Sequence, residues 1–347
     1  MSKKILALRF SAMGDVAMTA PVMKEVLEQN PDTEIIMVSR PFLKPFFDNI
    51  PRMTFIGADL NGKHKGFGGL TNLFKELKKL GPYTAVADLH SVLRTFIIDG
   101  LFQSTGTKVY RIDKGRKGKK ALTKPSKKKF EPLRSTPERY ADVFRKIGLD
   151  VTLSNQLPSK GSPALKNAEL ELLGGKTQPW VGIAPFAQHE GKIWGEAKAV
   201  ALAKMLQEKL NVKVLFFGGP GKEAEILEKC IKEVPNSVNL AGNIKLKEEL
   251  DIIELLDLMV SMDSANMHMA SLRGTECVSI WGATHHYAGF LGYGQSTENI
   301  VEISEKELPC RPCSVFGNKP CLRNDYACLD SITPEMVYHK IATALHK

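Results

Sequence analysis

The sequence contains no run of about 18 uninterrupted apolar residues, the length that a membrane-spanning helix needs. This holds although 43% of its 347 residues are hydrophobic. Its first residues, Met1 to Lys4, lead directly into a strand-like segment, without the apolar region and cleavage site of a secretory signal. We therefore expect a cytoplasmic protein, in a compartment where cysteines are normally reduced.

Acidic residues are scarce in one stretch of a chain whose formal net charge is +10. Residues 108–134 contain only Asp113 and Glu131 as acids. The basic residues of this stretch are Lys108, Arg111, Lys114, Arg116, Lys117, Lys119, Lys120, Lys124, Lys127, Lys128, Lys129 and Arg134. Such a patch attracts polyanions, or it only keeps the protein soluble. Because Tyr110 and Phe130 are its only aromatic residues, we rank nucleic acid below an anionic membrane surface or a phosphorylated partner.

The chain is too long for one ordinary core, and strand-like runs alternate with helical segments in both halves. The predicted strands are Ile5–Leu8, Glu34–Val38, Met53–Ile56, Thr84–Leu89, Lys108–Ile112, Trp180–Ala184, Lys213–Phe217, Val238–Leu240, Leu258–Ser261 and Cys277–Trp281. This alternation predicts two doubly wound α/β domains with parallel sheets. The expected boundaries are a first domain over 1–160, a linker over 161–178, a second domain over 179–333 and a C-terminal helix over 334–347. We expect the ligand between the carboxyl edges of the two sheets.

The stretch from Lys4 to Lys24 predicts a buried strand, a turn of small residues around Gly14, and a helix. Asp15 lies in that turn. A carboxylate at a helix N-terminus is often only a cap, and it can also be a functional group at the carboxyl edge of the sheet. Taken alone, the cap is the favoured interpretation.

Two stretches of the second half could hold a phosphate group. Asp263 and Ser264 follow a strand and open a helix in which His268 lies one turn further on, so free N–H groups and the Ser264 hydroxyl would face an anion. The alternative is an Asp-Ser cap with a packed histidine. Lys192 follows another strand and could neutralise phosphate, although a single lysine is more often solvated.

A glycine-rich turn follows Phe217, but it matches neither dinucleotide nor P-loop motifs. Glu223 and Glu225 come directly after it, and either could accept hydrogen bonds from ribose hydroxyls.

Four cysteines lie close together near the C-terminus, within residues 310–328. Cys310, Cys313, Cys321 and Cys328 suggest a structural zinc site in a reduced compartment, although their spacing fits no standard zinc module. Free thiols or two disulfides are the alternatives.

Taken together, these motifs resemble glycosyltransferase family 9, the ADP-heptose:lipopolysaccharide heptosyltransferases. The resemblance covers nearly the whole chain. Arg9-Phe-Ser-Ala-Met-Gly-Asp15-Val is similar to the family's R-x-S-x-x-G-D-V, and Lys192-x-Trp194 to its K-x-W. Asp263-Ser-x-x-x-His268-x-Ala270 is similar to D-[ST]-G-x-x-H-x-A, with Ala265 at the usual glycine. A methyl group there would crowd a closely approaching phosphate.

The resemblance implies a GT-B fold, in which two Rossmann-like doubly wound domains face a central cleft. It implies inverting, metal-independent transfer of a heptose from ADP-heptose to a phosphorylated lipopolysaccharide inner-core acceptor. Asp15 would be the general base. The implied donor contacts are Lys192, Ser264, Ala265 and His268 at the diphosphate, Asp263 at the sugar or in loop ordering, and Glu223 or Glu225 at the ribose. Ser11, Gly14 and Arg94 are the acceptor-side candidates.

The implied location is the cytoplasmic side of the inner membrane, with peripheral contact to the anionic surface through the basic loops at 61–70 and 108–134. No cofactor is expected in catalysis. A GT-B transferase or an epimerase that uses another nucleotide sugar is the alternative. A non-catalytic nucleic-acid-binding protein is a further alternative, against which Asp15 and Lys192 argue.

Overall fold

A computed structural model describes residues 3–163, 165–166 and 171–346, which form two compact units. The first unit contains residues up to 114 together with 134–154. The second contains 115–133 together with the chain from 155 onwards.

Helices and strands alternate along the chain. Up to residue 154 the elements are β1 (Lys3–Leu8), α1 (Met13–Ala17), α2 (Thr19–Gln29), β2 (Thr33–Ser39), a 3-10 helix (Pro41–Phe47), β3 (Met53–Gly57), α3 (Gly66–Lys79), β4 (Ala85–Asp88), α4 (Leu93–Gln103), β5 (Lys108–Arg111), α5 (Arg116–Leu122) and α6 (Thr136–Ile147). The later strands are β6 (Trp180–Ala184), β7 (Lys213–Phe216), β8 (Ser237–Asn239), β9 (Leu258–Met262), β10 (Cys277–Trp281) and β11 (Ile300–Glu302). The later helices are α7 (Glu196–Leu210), α8 (Lys222–Glu233), α9 (Leu246–Leu255), α10 (Ala265–Leu272), α11 (Ala327–Asp330) and α12 (Pro334–Leu345).

The first unit contains a five-stranded parallel sheet in the order β3-β2-β1-β4-β5. Its central strands are apolar on both faces, as a doubly covered sheet requires. Leu6, Leu8 and Val38 pack on one face against Leu73 and Phe102, which belong to α3 and α4. The strand order changes direction between β1 and β4, and open α/β sheets bind ligands at such a point.

The second unit contains a six-stranded parallel sheet in the order β11-β10-β9-β6-β7-β8. Val181, Ile183 and Val260 belong to its buried core, together with Ala203 of α7 and Ile341 of α12. Here the order changes direction between β6 and β9. The two sheets confirm the expectation of two Rossmann-like α/β units.

The structure differs from the sequence-based boundaries in one segment. Residues 115–133 were expected in the first domain as a basic loop, but they contain α5 and group with the second unit. The Lys119 ammonium lies 3.9 Å from the centroid of the Phe290 ring, and the Leu133 N–H donates to the Tyr287 carbonyl oxygen over 2.9 Å. These contacts hold the segment in the second unit. The charge pattern of the segment does not reveal this placement.

None of the helices in the described residues is long and apolar enough to cross a bilayer.

Gly274 packs against the backbone of Pro158, in the segment that enters the second unit. Its φ is +71°, and a Cβ there would overlap the Pro158 carbonyl oxygen. We predict that Gly274→Ala lowers the free energy of unfolding by about 2 kcal/mol or more, because a left-handed backbone and a backbone clash add. Urea denaturation measures this change.

The matched control is Gly100→Ala, in the exposed part of α4, where a Cβ would meet nothing within 4 Å. It is expected to raise stability by about 0.5–1 kcal/mol. Equal stability of the two variants would contradict the packing described here.

Candidate functional site

The functional candidates of the first unit follow the strands at its switch point. Residues 9–15 leave β1 and enter α1, while Leu89 and His90 follow β4. Since β1 and β4 are hydrogen-bonded neighbours that pair Leu8 with Asp88, both turns lie at the same place on the carboxyl edge.

Asp15 is held by a buried arginine. The Arg9 Nη2 lies 2.7 Å from the Asp15 Oδ2, with 7% of the Arg9 side chain and 30% of the Asp15 side chain exposed. The Ala12 N–H also donates to Oδ2, over 3.3 Å, so Asp15 does cap the first turn of α1. The Tyr140 hydroxyl donates to the Asp15 backbone carbonyl over 3.2 Å. Asp15 is therefore both a capping residue and a partly exposed carboxylate in a fixed position.

His90 is a neighbour of this carboxylate that the sequence did not single out. Its Nδ1 accepts the Phe10 N–H at 3.4 Å, and its Nε2 lies 3.5 Å from the Ser11 hydroxyl. Burial, together with the positive charges of Arg9, Lys114 and Arg94, lowers the pKa of His90 to about 3. The imidazole is therefore neutral at physiological pH.

Asp88 shapes the turn that presents His90. It is fully buried, and its Oδ1 accepts the backbone N–H groups of His90 and Ser91 at 2.9 and 2.7 Å. Its Oδ2 accepts the Thr95 hydroxyl at 2.9 Å. A polar residue at the last position of a buried strand was the available signal for this turn.

The acceptor-side candidates lie around the same edge. Ser11 contacts His90, and Gly14 belongs to the first turn of α1. Arg94 is exposed in the first turn of α4, close enough for its charge to act on His90.

In the second unit, Lys192 and Asp263 meet at the switch point between β6 and β9. Lys192 ends a short 3-10 turn, and Asp263 directly follows β9. The lysine Nζ lies 3.0 Å from the Asp263 Oδ2 and donates to the Asp263 carbonyl oxygen over 3.0 Å. The Asp263 side chain is only 5% exposed. A buried carboxylate without this cation would carry a large desolvation cost.

The N-terminus of α10 adjoins this ion pair. Ser264 is its N-cap residue, with its hydroxyl 3.1 Å from that of Ser261, and Ala265 begins the helix. His268 lies one turn on and is only 6% exposed. The first turn of a helix presents backbone N–H groups that no carbonyl within the helix accepts, which suits an anion.

The two ribose candidates differ in their contact with the glycine-rich turn after β7. The Glu223 Oε2 accepts the Gly219 N–H at 2.6 Å, so Glu223 folds back onto the turn. Glu225 is exposed in the first turn of α8.

All six cysteines are free thiols, so the two-disulfide alternative is excluded in this structure. Burial raises the pKa of Cys328 to about 11, with neighbouring thiols adding to the shift. Burial alone would also raise the pKa of Cys321, but hydrogen bonds from the backbone N–H groups of residues 323–326 outweigh this effect, so the pKa of Cys321 is lowered. The loop packs on the turn at 190–192, since Gly317 abuts Lys192 and the Tyr326 hydroxyl lies 3.3 Å from the Glu190 Oε2.

Among the described residues, one group of three potential metal ligands has its ligand atoms within 4.8 Å of one another: His285, His286 and Glu302. The group contains no cysteine. The His285 Nδ1 accepts the Tyr287 N–H at 3.1 Å, which assigns the ring proton to Nε2, 3.2 Å from the Glu302 Oε1. Arg311 holds the other carboxylate oxygen at 3.0 Å. Glu302 is therefore shared between His285 and Arg311, and the His286 Nδ1 lies 3.7 Å from its Oε1.

Two parallel α/β units, each with polar side chains at its switch point, have the architecture of GT-B proteins. The model of glycosyltransferase family 9 (heptosyltransferase) matches residues 71–318. Since this match spans well over half of the sequence, the chain belongs to glycosyltransferase family 9.

Curated relatives are similar to this chain over most of their length, and solved structures share its fold. Lipopolysaccharide heptosyltransferase 3 of Escherichia coli is 25% identical over 311 residues, covering 86% of this chain and 88% of the relative. Lipopolysaccharide core heptosyltransferase OpsX of Haemophilus influenzae is 25% identical over 318 residues, covering 88% and 85%. The family 9 glycosyl transferase of Veillonella parvula has a TM-score of 0.75 at 18% identity, covering 99% of this chain and 98% of that one. The Escherichia coli ADP-heptose LPS heptosyltransferase II has a TM-score of 0.68 at 18% identity and the same coverage.

The neutral state of His90 gives a pH prediction. An unfolded histidine takes up a proton below about pH 6.5, whereas the folded His90 stays neutral down to about pH 3. Stability is therefore expected to fall as the pH drops from about 6.5 toward 3. Histidine-ring NMR follows the titration, and a His90→Gln variant identifies its signal. A midpoint near pH 6 for that signal would contradict the environment described here.

Proposed function

We propose that the protein transfers a heptose from ADP-heptose to a phosphorylated lipopolysaccharide inner-core acceptor, with inversion at the anomeric carbon. The observation that carries the proposal is the Lys192–Asp263 pair beside the N-terminus of α10, at the switch point of the second sheet. Membership of family 9 narrows the donor to a sugar nucleotide, and the names of the relatives suggest the heptose and the core acceptor.

The second unit is proposed to hold the donor. Lys192 and the first N–H groups of α10 would take the negative charge that develops on the departing diphosphate. In this structure Lys192 is paired with Asp263, so binding of a diphosphate would share or replace that contact. Ser264 and His268 would add hydrogen bonds, and Asp263 would contact the sugar or order the turn. Glu223 is preferred over the exposed Glu225 at the ribose because it already lines the glycine-rich turn.

The first unit is proposed to supply the base. The acceptor hydroxyl passes its proton to the Asp15 carboxylate while its oxygen bonds to the anomeric carbon. The bond from that carbon to the diphosphate oxygen breaks, and its electron pair leaves with ADP. Ser11, Gly14 and Arg94 lie on the same edge as Asp15 and are proposed to contact the acceptor.

No metal takes part in the proposed reaction, because a lysine and fixed N–H groups can hold the leaving group. A zinc ion at Cys310, Cys313, Cys321 and Cys328 would be structural. As they lie in this structure the cysteines do not fit it, because no three of their sulfurs approach within 4.8 Å in the described chain. We derive no step through such an ion. Zinc there stays a prediction, which metal analysis of the purified protein tests.

We further propose that the protein works at the cytoplasmic side of the inner membrane, in peripheral contact with its anionic surface. Three exposed apolar side chains in the segments after β2, β3 and β4 support this proposal. They are Phe42, Phe67 and Leu93, which are 54%, 69% and 75% exposed. Lys65 and Arg94 are exposed beside them. Exposed apolar side chains among cations suit an interface with anionic lipids. The 108–134 stretch is less suited, because the Lys128 ammonium donates to the carbonyl oxygens of residues 309–311.

A donor panel tests the reaction. We expect acceptor-dependent release of ADP from ADP-heptose, and no acceptor-dependent release of UDP or GDP from UDP- or GDP-sugars. Asp15→Asn should lower kcat by about 10²–10⁴ while leaving ADP affinity unchanged, because it removes only the base. Lys192→Met should weaken ADP binding by about tenfold or more, because a charge-assisted contact is lost. Turnover of another nucleotide sugar, or parental activity of Asp15→Asn, would contradict the proposal.

Vesicle sedimentation tests the membrane contact. The Phe67→Ala/Leu93→Ala double variant should bind anionic vesicles about tenfold or more weakly, since each buried apolar side chain contributes on the order of 1 kcal/mol or more. The matched control is Leu322→Ala in the second unit, where Leu322 is 59% exposed. Equal binding by the double variant and the control, or equal binding to uncharged vesicles, would count against the proposed surface.

A further inference from the structure

Arg9 is a buried cation with two anchors at the switch point of the first sheet. Its Nη1 donates to the Leu89 carbonyl oxygen over 2.7 Å, and its Nη2 contacts the Asp15 Oδ2 at the same distance. Its guanidinium carbon lies 5.7 Å from the centroid of the Tyr140 ring. The planar fork of arginine can hold a carbonyl and a carboxylate at once, which the single ammonium of lysine cannot do in the same geometry. Arg9 thus ties the turn after β4 to the carboxylate after β1.

The contacts of the Asp15 carboxylate fall on one of its two oxygens. Arg9 and the Ala12 N–H both reach Oδ2, at 2.7 and 3.3 Å. Among the described residues, no donor is recorded at Oδ1. The side chain is 30% exposed, so this second oxygen is the one with capacity to accept another proton or hydrogen bond.

The backbone of Asp15 is held separately. Tyr140, fully buried in α6, donates its hydroxyl to the Asp15 carbonyl oxygen over 3.2 Å. Its burial and the neighbouring Asp15 charge raise the pKa of the Tyr140 hydroxyl, with Arg9 acting in the opposite direction, so the hydroxyl keeps its proton. Main chain and side chain of Asp15 are therefore fixed by two different elements.

We propose that Arg9 is the positioning residue of the reaction: it fixes Oδ2 of Asp15 and leaves Oδ1 to take the proton of the acceptor hydroxyl. This inference rests on the proposed function, in which Asp15 is the base. The proton moves from the acceptor oxygen to Oδ1 as that oxygen bonds to the sugar carbon, and the diphosphate leaves with the electrons of the broken bond. Arg9 neither gains nor loses a proton.

Three groups face Asp15: Arg9 after β1, His90 after β4 and Tyr140 of α6. Of these, Arg9 is the charged group at contact distance, since His90 and Tyr140 are neutral. Among the described residues, loss of Arg9 therefore leaves Oδ2 with the Ala12 N–H alone, and the carboxylate loses the contact that fixes its orientation.

The experiment compares Arg9→Gln with Arg9→Lys at saturating donor. For Arg9→Gln we expect kcat to fall about a hundredfold or more at neutral pH, with the KM for the donor unchanged, because only the position of the base is disturbed. For Arg9→Lys we expect about a tenfold loss of kcat, because the charge remains and the fork is lost. ADP affinity should stay unchanged in both, since the proposed ADP contacts belong to the second unit.

Several outcomes would overturn the inference. A merely structural role predicts lower thermal stability without a loss of kcat in the folded variant, so a parental kcat in folded Arg9→Gln contradicts the inference. If Arg9→Gln does not fold, Arg9→Lys decides, because parental kcat with lysine would show that the fork is dispensable. An inactive Asp15→Asn beside a fully active Arg9→Gln refutes only this inference. A fully active Asp15→Asn refutes the proposed function itself.

Discussion

In each unit a cation faces the carboxylate that follows a central strand, and the arrangement of both candidate sites depends on this pairing. Arg9 contacts Asp15 at 2.7 Å, and Lys192 contacts Asp263 at 3.0 Å. Parallel sheets covered on both faces leave polar groups room only where the strands end. Charges withdrawn from water there need partners, because an isolated buried ion costs several kcal/mol. Both units therefore meet the same requirement: Arg9 and Asp15 belong to one turn in the first unit, whereas Lys192 and Asp263 come from two turns in the second.

The two pairs differ in a way that fits different tasks. Arg9 is 7% exposed and bonds to a backbone carbonyl as well, so it holds a partly exposed aspartate in place. In the second unit the aspartate is the more buried partner, at 5%, and the lysine is 16% exposed. A cation with access to solvent beside a helix N-terminus suits an incoming anion, whereas a fixed carboxylate suits proton transfer. The chemistry proposed for each unit follows from which member of the ion pair is exposed to solvent: Asp15 in the first unit and Lys192 in the second.

Much of the fold was predictable because buried parallel strands are short apolar runs. Asp15, Lys192 and Asp263 were predictable as site candidates because each lies in the turn that follows such a strand. Their partners were not equally visible. Tyr140 meets Asp15 from 125 positions away in sequence, and His90 meets Ser11 from 79 positions away. No local pattern records contacts of that range.

The basic stretch shows the same limit from another side. The charge pattern predicted a basic loop of the first domain that attracts polyanions or only keeps the protein soluble. In the structure, Lys119 and Lys128 direct their ammonium groups to an aromatic ring and to backbone carbonyls of the second unit. The three-residue strand β11 was missed, although β8, of the same length, was predicted as Val238–Leu240.

A crystal structure of the protein with bound ADP tests the central claim most directly. The account predicts diphosphate oxygens within roughly 3 Å of the Lys192 Nζ and of backbone N–H groups in the first turn of α10. Asp263 should then have given up at least part of its contact with the lysine. Diphosphate density away from both Lys192 and α10, with the Lys192–Asp263 ion pair intact, would contradict the account.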